Sequence, residues 1–219
     1  WYDPTGVKNY PKGCNNGTLS DVDDTTVKYA TAGDSGDVNK PIDSNGTTKL
    51  IKAISEKENF SKIESLIKKG ANVNISDING NTALIQACGN HSDKRIVNIL
   101  IDSGADINAH NKDGITPLLA TGFRNDYENA SILIAKGANI NATDNKGRTC
   151  LHYAAITDSL ELVKLLIAKG ADITSKDMDG KNPIELAKEK NSRLVYAYFS
   201  TELMNSYNNK TIETLNSIN

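Results

Sequence analysis

Between residues 144 and 176 the apolar positions change spacing once, and each spacing predicts an element. Leu151, Ala154 and Ala155 form the narrow stripe of a short helix whose small residues let a neighbouring helix come close. After a break at Asp158-Ser159, residues Leu162, Val163, Leu165, Leu166 and Ile167 recur at i, i+3 and i+4 and predict a second, amphipathic helix. Polar residues mark the ends. Asp144-Asn145-Lys146-Gly147 predicts a tight turn, with Gly147 free to take positive φ. Thr149 stands at an N-cap. Lys169 faces the negative end of the second helix, and Gly170 suits the residue just past it.

The same pattern recurs along the chain. Gly70-Ala71-Asn72-Val73-Asn74, Gly104-Ala105-Asp106-Ile107-Asn108, Gly137-Ala138-Asn139-Ile140-Asn141 and Gly170-Ala171-Asp172-Ile173-Thr174 place their glycines 34, 33 and 33 residues apart. A turn phrase keeps step with them at Asn45-Gly46, Asn79-Gly80, Asp113-Gly114, Lys146-Gly147 and Asp179-Gly180. A fixed period in this range predicts stacked supersecondary units, an elongated surface suited to gripping another macromolecule. Thr116-Pro117 opens the helices of one unit, and Asn182-Pro183 with Glu185 opens another as a capping box. A last helix over 193–206 carries Leu194, Tyr198 and Leu203 among many polar residues and lacks a Gly-Ala ending, as expected of a terminal cap with its apolar side towards the stack.

These readings divide the chain into an irregular, loop-like extension (1–42), units over 43–76, 77–110, 111–143 and 144–176, a cap over 177–207, and a polar tail (208–219). Within the extension, only 27–32 is modestly apolar. Gly36 lies 34 residues before Gly70 and Asp43 the same distance before Asp77, so residues 36–46 read as half a unit that forms a first projecting turn. Between the paired helices the first two units each carry one extra residue, near 57–60 and 90–93.

Composition narrows the function. Aromatics make up only 5% of the chain, which suits thin layers of Leu, Ile, Val and Ala better than a compact enzyme core. The net charge is −2, and the four Lys and six Asp of residues 1–42 account for it. A near-neutral stack has no field to attract nucleic acid. No apolar stretch approaches the ~18–20 residues of a membrane span. Cys14, Cys88 and Cys150 form no C-x-x-C pair, and Cys88 and Cys150 sit two units apart, which fits buried small residues in a reducing, cytoplasmic setting. Because the sequence opens on Trp1, a secreted or periplasmic setting stays open.

The candidate chemical motifs resolve into structure. Asp177-Met178-Asp179-Gly180 begins like a calcium loop, but the twelfth position, where a bidentate Glu is needed, is Lys188. The acidic cluster Asp21, Asp23 and Asp24 reads as a solvated loop, and His91, His110 and His152 lack metal-ligand spacing. No nucleophile motif or phosphate loop is present. We expect no catalytic residue, no metal and no cofactor. Asn16-Gly17-Thr18 and Asn129-Ala130-Ser131 are sequons of the sort an Asn-rich chain produces by chance.

Gly114-Ile115-Thr116-Pro117-Leu118, the run from Gly147 to Ala155 (GRTCLHYAA) and the Gly-Ala phrases together resemble the ankyrin repeat over about residues 43–207. The resemblance implies an all-α solenoid: a gently curved stack of helix-turn-helix units with projecting β-hairpin loops, usually a non-catalytic scaffold that binds proteins. Departures are visible. Only His152 fills the family's histidine place, where Ile51, Ile85 and Leu119 stand elsewhere, and only Pro117 and Pro183 keep its proline. Degeneracy of the early units suggests a less regular N-terminal half.

By register with the family, turn tips and first-helix inner faces share one concave face. That face is expected to carry Ile78, Asn79 and Asn81, then Lys112, Asp113, Ile115, Phe123 and Arg124, then Asn145, Lys146, Arg148 and Ile156, and finally Met178. Ile115, Phe123, Arg124 and Ile156 are the expected anchors, Phe123 being the one that could instead fold into helix packing. The sequence therefore points to a monomeric module that binds another protein. The alternative is a repeat arm of a larger enzyme or secreted effector whose active domain lies upstream of Trp1.

Overall fold

A computed structural model describes residues 36–201. The extension up to residue 35, with Cys14, the Asp21–Asp24 acids and the Asn16 sequon, lies outside the described residues, as does the tail from 202, with Leu203.

Helices come in pairs: α1 (Lys49–Ser55) with α2 (Phe60–Lys68), α3 (Ala83–Gly89) with α4 (Lys94–Asp102), α5 (Pro117–Arg124) with α6 (Tyr127–Ala135), and α7 (Cys150–Ile156) with α8 (Leu160–Ala168). α9 (Pro183–Glu189) is followed by helical residues 193–201, here α10. α5, α7 and α9 start where the sequence predicts, at Pro117, Cys150 and Pro183. The backbone N–H groups of Ile51, Ile85 and Leu119 donate to the hydroxyls of Thr48, Thr82 and Thr116 (3.3 Å each), and Asn182 with Glu185 closes a capping box on α9. A capped N-terminus satisfies a donor that the helix itself leaves unpaired.

The pairs stack into two rows. α1, α3, α5, α7 and α9 pack in succession along one, and α2, α4, α6 and α8 along the other. The interior is aliphatic: Leu84, Leu100, Leu118, Leu133, Leu151, Leu162 and Leu166 are almost wholly buried. Each stabilises the stack by about 2 kcal/mol. Small residues set the close spacing of the first row, as expected from Ala154 and Ala155. At Gly122 an added Cβ would stand 3.1 Å from both Cys150 Sγ and Tyr153 Cβ, so a larger residue would press α5 and α7 apart.

The extra residue of the early units is absorbed without disturbing the helices. After every first helix the chain makes the same reversal. One residue takes positive φ (Lys57, His91, Asn125, Asp158, Asn191), and the next N–H returns to a carbonyl of the last helical turn. Those donors are Glu58, Ser92, Asp126, Ser159 and Ser192, at 2.9–3.0 Å. In α6 and α8 that donor residue is itself the N-cap, whereas in α2 and α4 the cap comes one residue later, at Asn59 and Asp93. The inserted residue separates two local motifs and leaves both intact.

Two readings need correction. The half unit before α1 is present, but in a different register. Asp37-Val38-Asn39 plays the part of Asn72-Val73-Asn74: Asn39 N–H donates to Asp37 Oδ1 as Asn74 N–H donates to Asn72 Oδ1 (2.9 Å each). Gly36 therefore matches Ala71, and one additional residue sits before Asp43. On α10 the buried residues are Val195 and Phe199; Leu194 is 58% exposed and Tyr198 is only half-buried. The polar helix left its phase open by one residue, a rotation of about 100°. Asn129 is buried and its side-chain amide donates to Ser92 O (2.8 Å), which agrees with a sequon that arose by chance. The projecting loops stand where expected. Their strand character among the described residues is one antiparallel bridge, Ser76 to Thr82.

Candidate partner-binding surface

Each turn is built around one side chain. Asp43, Asp77, Asn111, Asp144 and Asp177 accept through Oδ1 from the backbone N–H groups two and four residues on, at 2.8–3.0 Å. These short acceptors mimic a backbone turn and hold the tip rigid. The tips are then joined to one another. The N–H groups of Ile78, Lys112, Asn145 and Met178 donate to the carbonyls of Asn45, Asn79, Asp113 and Lys146, at 2.8–2.9 Å. A single backbone ladder thus fixes the spacing of the tip side chains along the stack.

A second ladder runs through the loops that leave the second helices. Asn39, Asn74, Asn108 and Asn141 each accept through Oδ1 from the next unit, from the N–H groups of Asn72, Asp106, Asn139 and Asp172 (2.6–3.0 Å). The recurring terminal Asn of the Gly-Ala phrase was its signal in the sequence. At Thr174 the side chain turns back to its own loop, its hydroxyl donating to Asp172 Oδ1 (2.7 Å).

The expected surface residues fall into two groups. Ile78, Asn79, Lys112, Asp113, Asn145, Lys146 and Met178 are exposed on the tips, Ile78 at 46% and Met178 at 78%. The others are engaged with the stack. Ile115 and Ile156 are half-buried against the core. Phe123 lies against the Tyr153 ring, with centroids 3.7 Å apart. Arg124 Nε donates to Gly89 O, the last residue of α3, at 2.5 Å. Asn81 donates to Asp77 Oδ2 and accepts from Asn111 Nδ2. Arg148 pairs with Asp177 (3.3 Å) and, more loosely, with Asp179 (3.8 Å).

Behind the later tips lies a polar network that the sequence did not announce. The Tyr153 hydroxyl donates to Asp144, a buried carboxylate. Burial first, and then Asp144, push the Tyr153 phenol well above its ordinary range. Burial also opposes ionisation of Asp177, but the N–H groups of Lys181 and Asp179 and the Arg148 guanidinium outweigh it and hold its carboxyl below the ordinary value. His152 is fully buried. Its Nδ1 accepts from Thr149 N–H (3.1 Å), so Nε2 carries the proton and donates to Lys181 O (3.2 Å). Burial above all keeps this imidazole neutral, below its usual 6.5. Cys88 and Cys150 are buried free thiols, and burial pushes Cys150 up to about 12, so neither is poised as a nucleophile. His91 reaches the buried Asp126 (3.0 Å), and His110 stands near its turn. Among the described residues, no group of three or more His, Cys, Asp or Glu is placed to hold a metal ion. None of their helices is long and apolar enough to cross a membrane.

Comparison with protein families finds ankyrin repeats (3 copies), matched over residues 19–111 and 90–177. The chain belongs to the ankyrin-repeat family. The match begins at residue 19, within the stretch read from the sequence as an extension. No curated protein matches the chain. Ankyrin repeats are generally protein–protein interaction modules, and their domains are typically non-catalytic.

Proposed function

We propose that this ankyrin-repeat protein acts as a single chain that binds a partner protein across its tip row, from Ile78 to Met178, and the adjoining first-helix row. The observation that supports the reading most is the pair of exposed apolar tips, Ile78 and Met178, set towards the two ends of a row whose middle carries Lys112 and Asn145. Exposed apolar groups flanked by polar ones are the usual anchors of an interface. The backbone ladder holds them in place before the partner arrives, which lowers the ordering cost of association. Phe123, Arg124 and Arg148 take a supporting part, each tied to a neighbouring unit.

A partner isolated by affinity capture provides the assay. Ile78→Ala with Met178→Ala is expected to weaken its binding by about 1–4 kcal/mol, with the unfolding midpoint unchanged. Undiminished affinity in that double variant would remove the tip row from the interface.

A further inference from the structure

The projecting turns share one architecture, but the first two carry a reactive pair. Among the described residues, Asn45 and Asn79 are the asparagines followed by glycine, and both are exposed. With no Cβ on the second residue, nothing obstructs the approach of its nitrogen to the asparagine side chain. The Gly nitrogen gives up its proton and attacks Asn Cγ. An N–Cγ bond forms, the Cγ–Nδ2 bond breaks, and Nδ2 leaves as ammonia with that proton. Water then opens the cyclic imide. Attack at Cγ gives aspartate. Attack at the α-carbonyl gives isoaspartate, whose main chain runs through the former side chain and is longer by one carbon. Water is the one co-reactant.

A closed turn withholds the nitrogen. Gly46 N–H donates to Asp43 O (3.2 Å) and Gly80 N–H to Asp77 O (2.9 Å). Gly46 is also buried beneath Ile78, whose Cγ2 would lie 3.6 Å from an added Cβ. Reaction therefore waits for the turn to open, and the ties on each turn set how often it does. Asn79 sits in a tip held from both sides. Ile78 N–H donates to Asn45 O (2.8 Å), Asn79 O accepts from Lys112 N–H (2.9 Å), and a bridge joins Ser76 to Thr82. Asn45 sits in the first tip, where the backbone ladder ends. Its carbonyl takes the bond from Ile78, and among the described residues no earlier turn holds it from the other side.

We propose that Asn45 is a self-modification site, converted to aspartate and isoaspartate in the folded protein ahead of Asn79. In the isoaspartate form the extra main-chain carbon lengthens the turn from Asp43 to Gly46, on which Ile78 rests, and so unseats one end of the tip row. The chemistry is independent of any partner. The consequence for binding rests on the tip row being the interface.

The test is to hold the full chain in mildly alkaline buffer at body temperature and map its tryptic peptides over time. Conversion reads as a one-dalton gain located by fragmentation, and isoaspartate as enzymatic methylation of its free α-carboxyl. Asn45 is expected to react about three- to tenfold faster than Asn79, the factor that one net backbone hydrogen bond is worth. In guanidinium the turns are gone, and the two rates should converge. The Ile78 N–H should exchange with solvent about three- to tenfold faster in the modified protein, as one lost bond requires. Asn45→Gln, whose longer side chain closes a less favourable ring, should pass through the same incubation with position 45 and the Ile78 exchange unchanged. No conversion at Asn45, Asn79 level with it or ahead of it in the folded chain, a ratio that persists in guanidinium, or an unaltered Ile78 exchange would overturn the proposal. None of these readouts uses a partner, so the interface itself is judged separately by Ile78→Ala with Met178→Ala.

Discussion

The first two units and the last two reach the same shape with different fastenings. In the N-terminal half the junctions are held from the loops: Asn39 and Asn74 each bond twice to the following unit, Asn90 Nδ2 donates to Ile54 O (3.3 Å), and Arg95 lies over the Phe60 ring (5.1 Å). In the C-terminal half the loop tie from Asn141 is joined by polar side chains that reach across the junctions: His152 to Lys181 O, Arg148 to Asp177, and Asp158 accepting from Val195 N–H (2.9 Å) at the start of α10. What the halves share is backbone, namely the turn acceptor and the reversal after each first helix. The shape therefore belongs to these local motifs, and the side-chain ties can be exchanged without changing it. Departure of the early units from the family's His and Pro does not make their backbone less regular.

That comparison can be broken most severely in the core. Leu100→Ala in α4 and Leu166→Ala in α8 remove equally buried side chains. Each should cost about 3 kcal/mol, within about 1 kcal/mol of the other, by urea unfolding. A much smaller loss for Leu100 would show an N-terminal half that frays independently.

Next in size is His152→Ala, expected to cost about 2 kcal/mol by leaving the Thr149 donor and the Lys181 acceptor unsatisfied. Replacement by Ile, as at Ile51 and Ile85, should recover part of that loss. The same residue gives a pH signature. Its folded-state pKa is depressed, so the unfolded chain takes up a proton first, and stability falls as pH drops below about 6.5. The depressed Asp177 adds a separate loss below about 3.8. His152→Ala should erase the first step and keep the second.

A smaller effect compares the loop ties. Asn74→Ala breaks two junction bonds and should cost about 1–2 kcal/mol, and Asn108→Ala, with one, about half as much. Smallest of all, Lys136→Ala removes an exposed pair with Asp102 and should change stability by less than about 0.5 kcal/mol.

Most of the architecture was legible, because helix periodicity and turn chemistry are local. Leu162, Leu165 and Leu166 identify α8 without reference to anything distant, and Thr116-Pro117 marks the start of α5. The surface was legible by half. Register placed Ile78 and Met178 on tips, but it could not show that Arg124 would reach Gly89 or that Arg148 would pair with Asp177. Those partners lie in other units, and a pattern along the chain says where a residue stands rather than what it touches. Phase failed on α10 for a related reason: with few apolar residues, Leu194 and Tyr198 made as good a stripe as Val195 and Phe199.

Thr174 has a consequence for how such an array could grow. Every earlier loop extends an amide to its successor, whereas this one closes on itself. New modules would be spliced in most readily upstream of it, between loop donors and acceptors already matched, while a module beyond it must be joined by other ties, as the cap is through Lys146, His152 and Asp158. One hydroxyl in place of a carboxamide thus gives the array a direction for elongation.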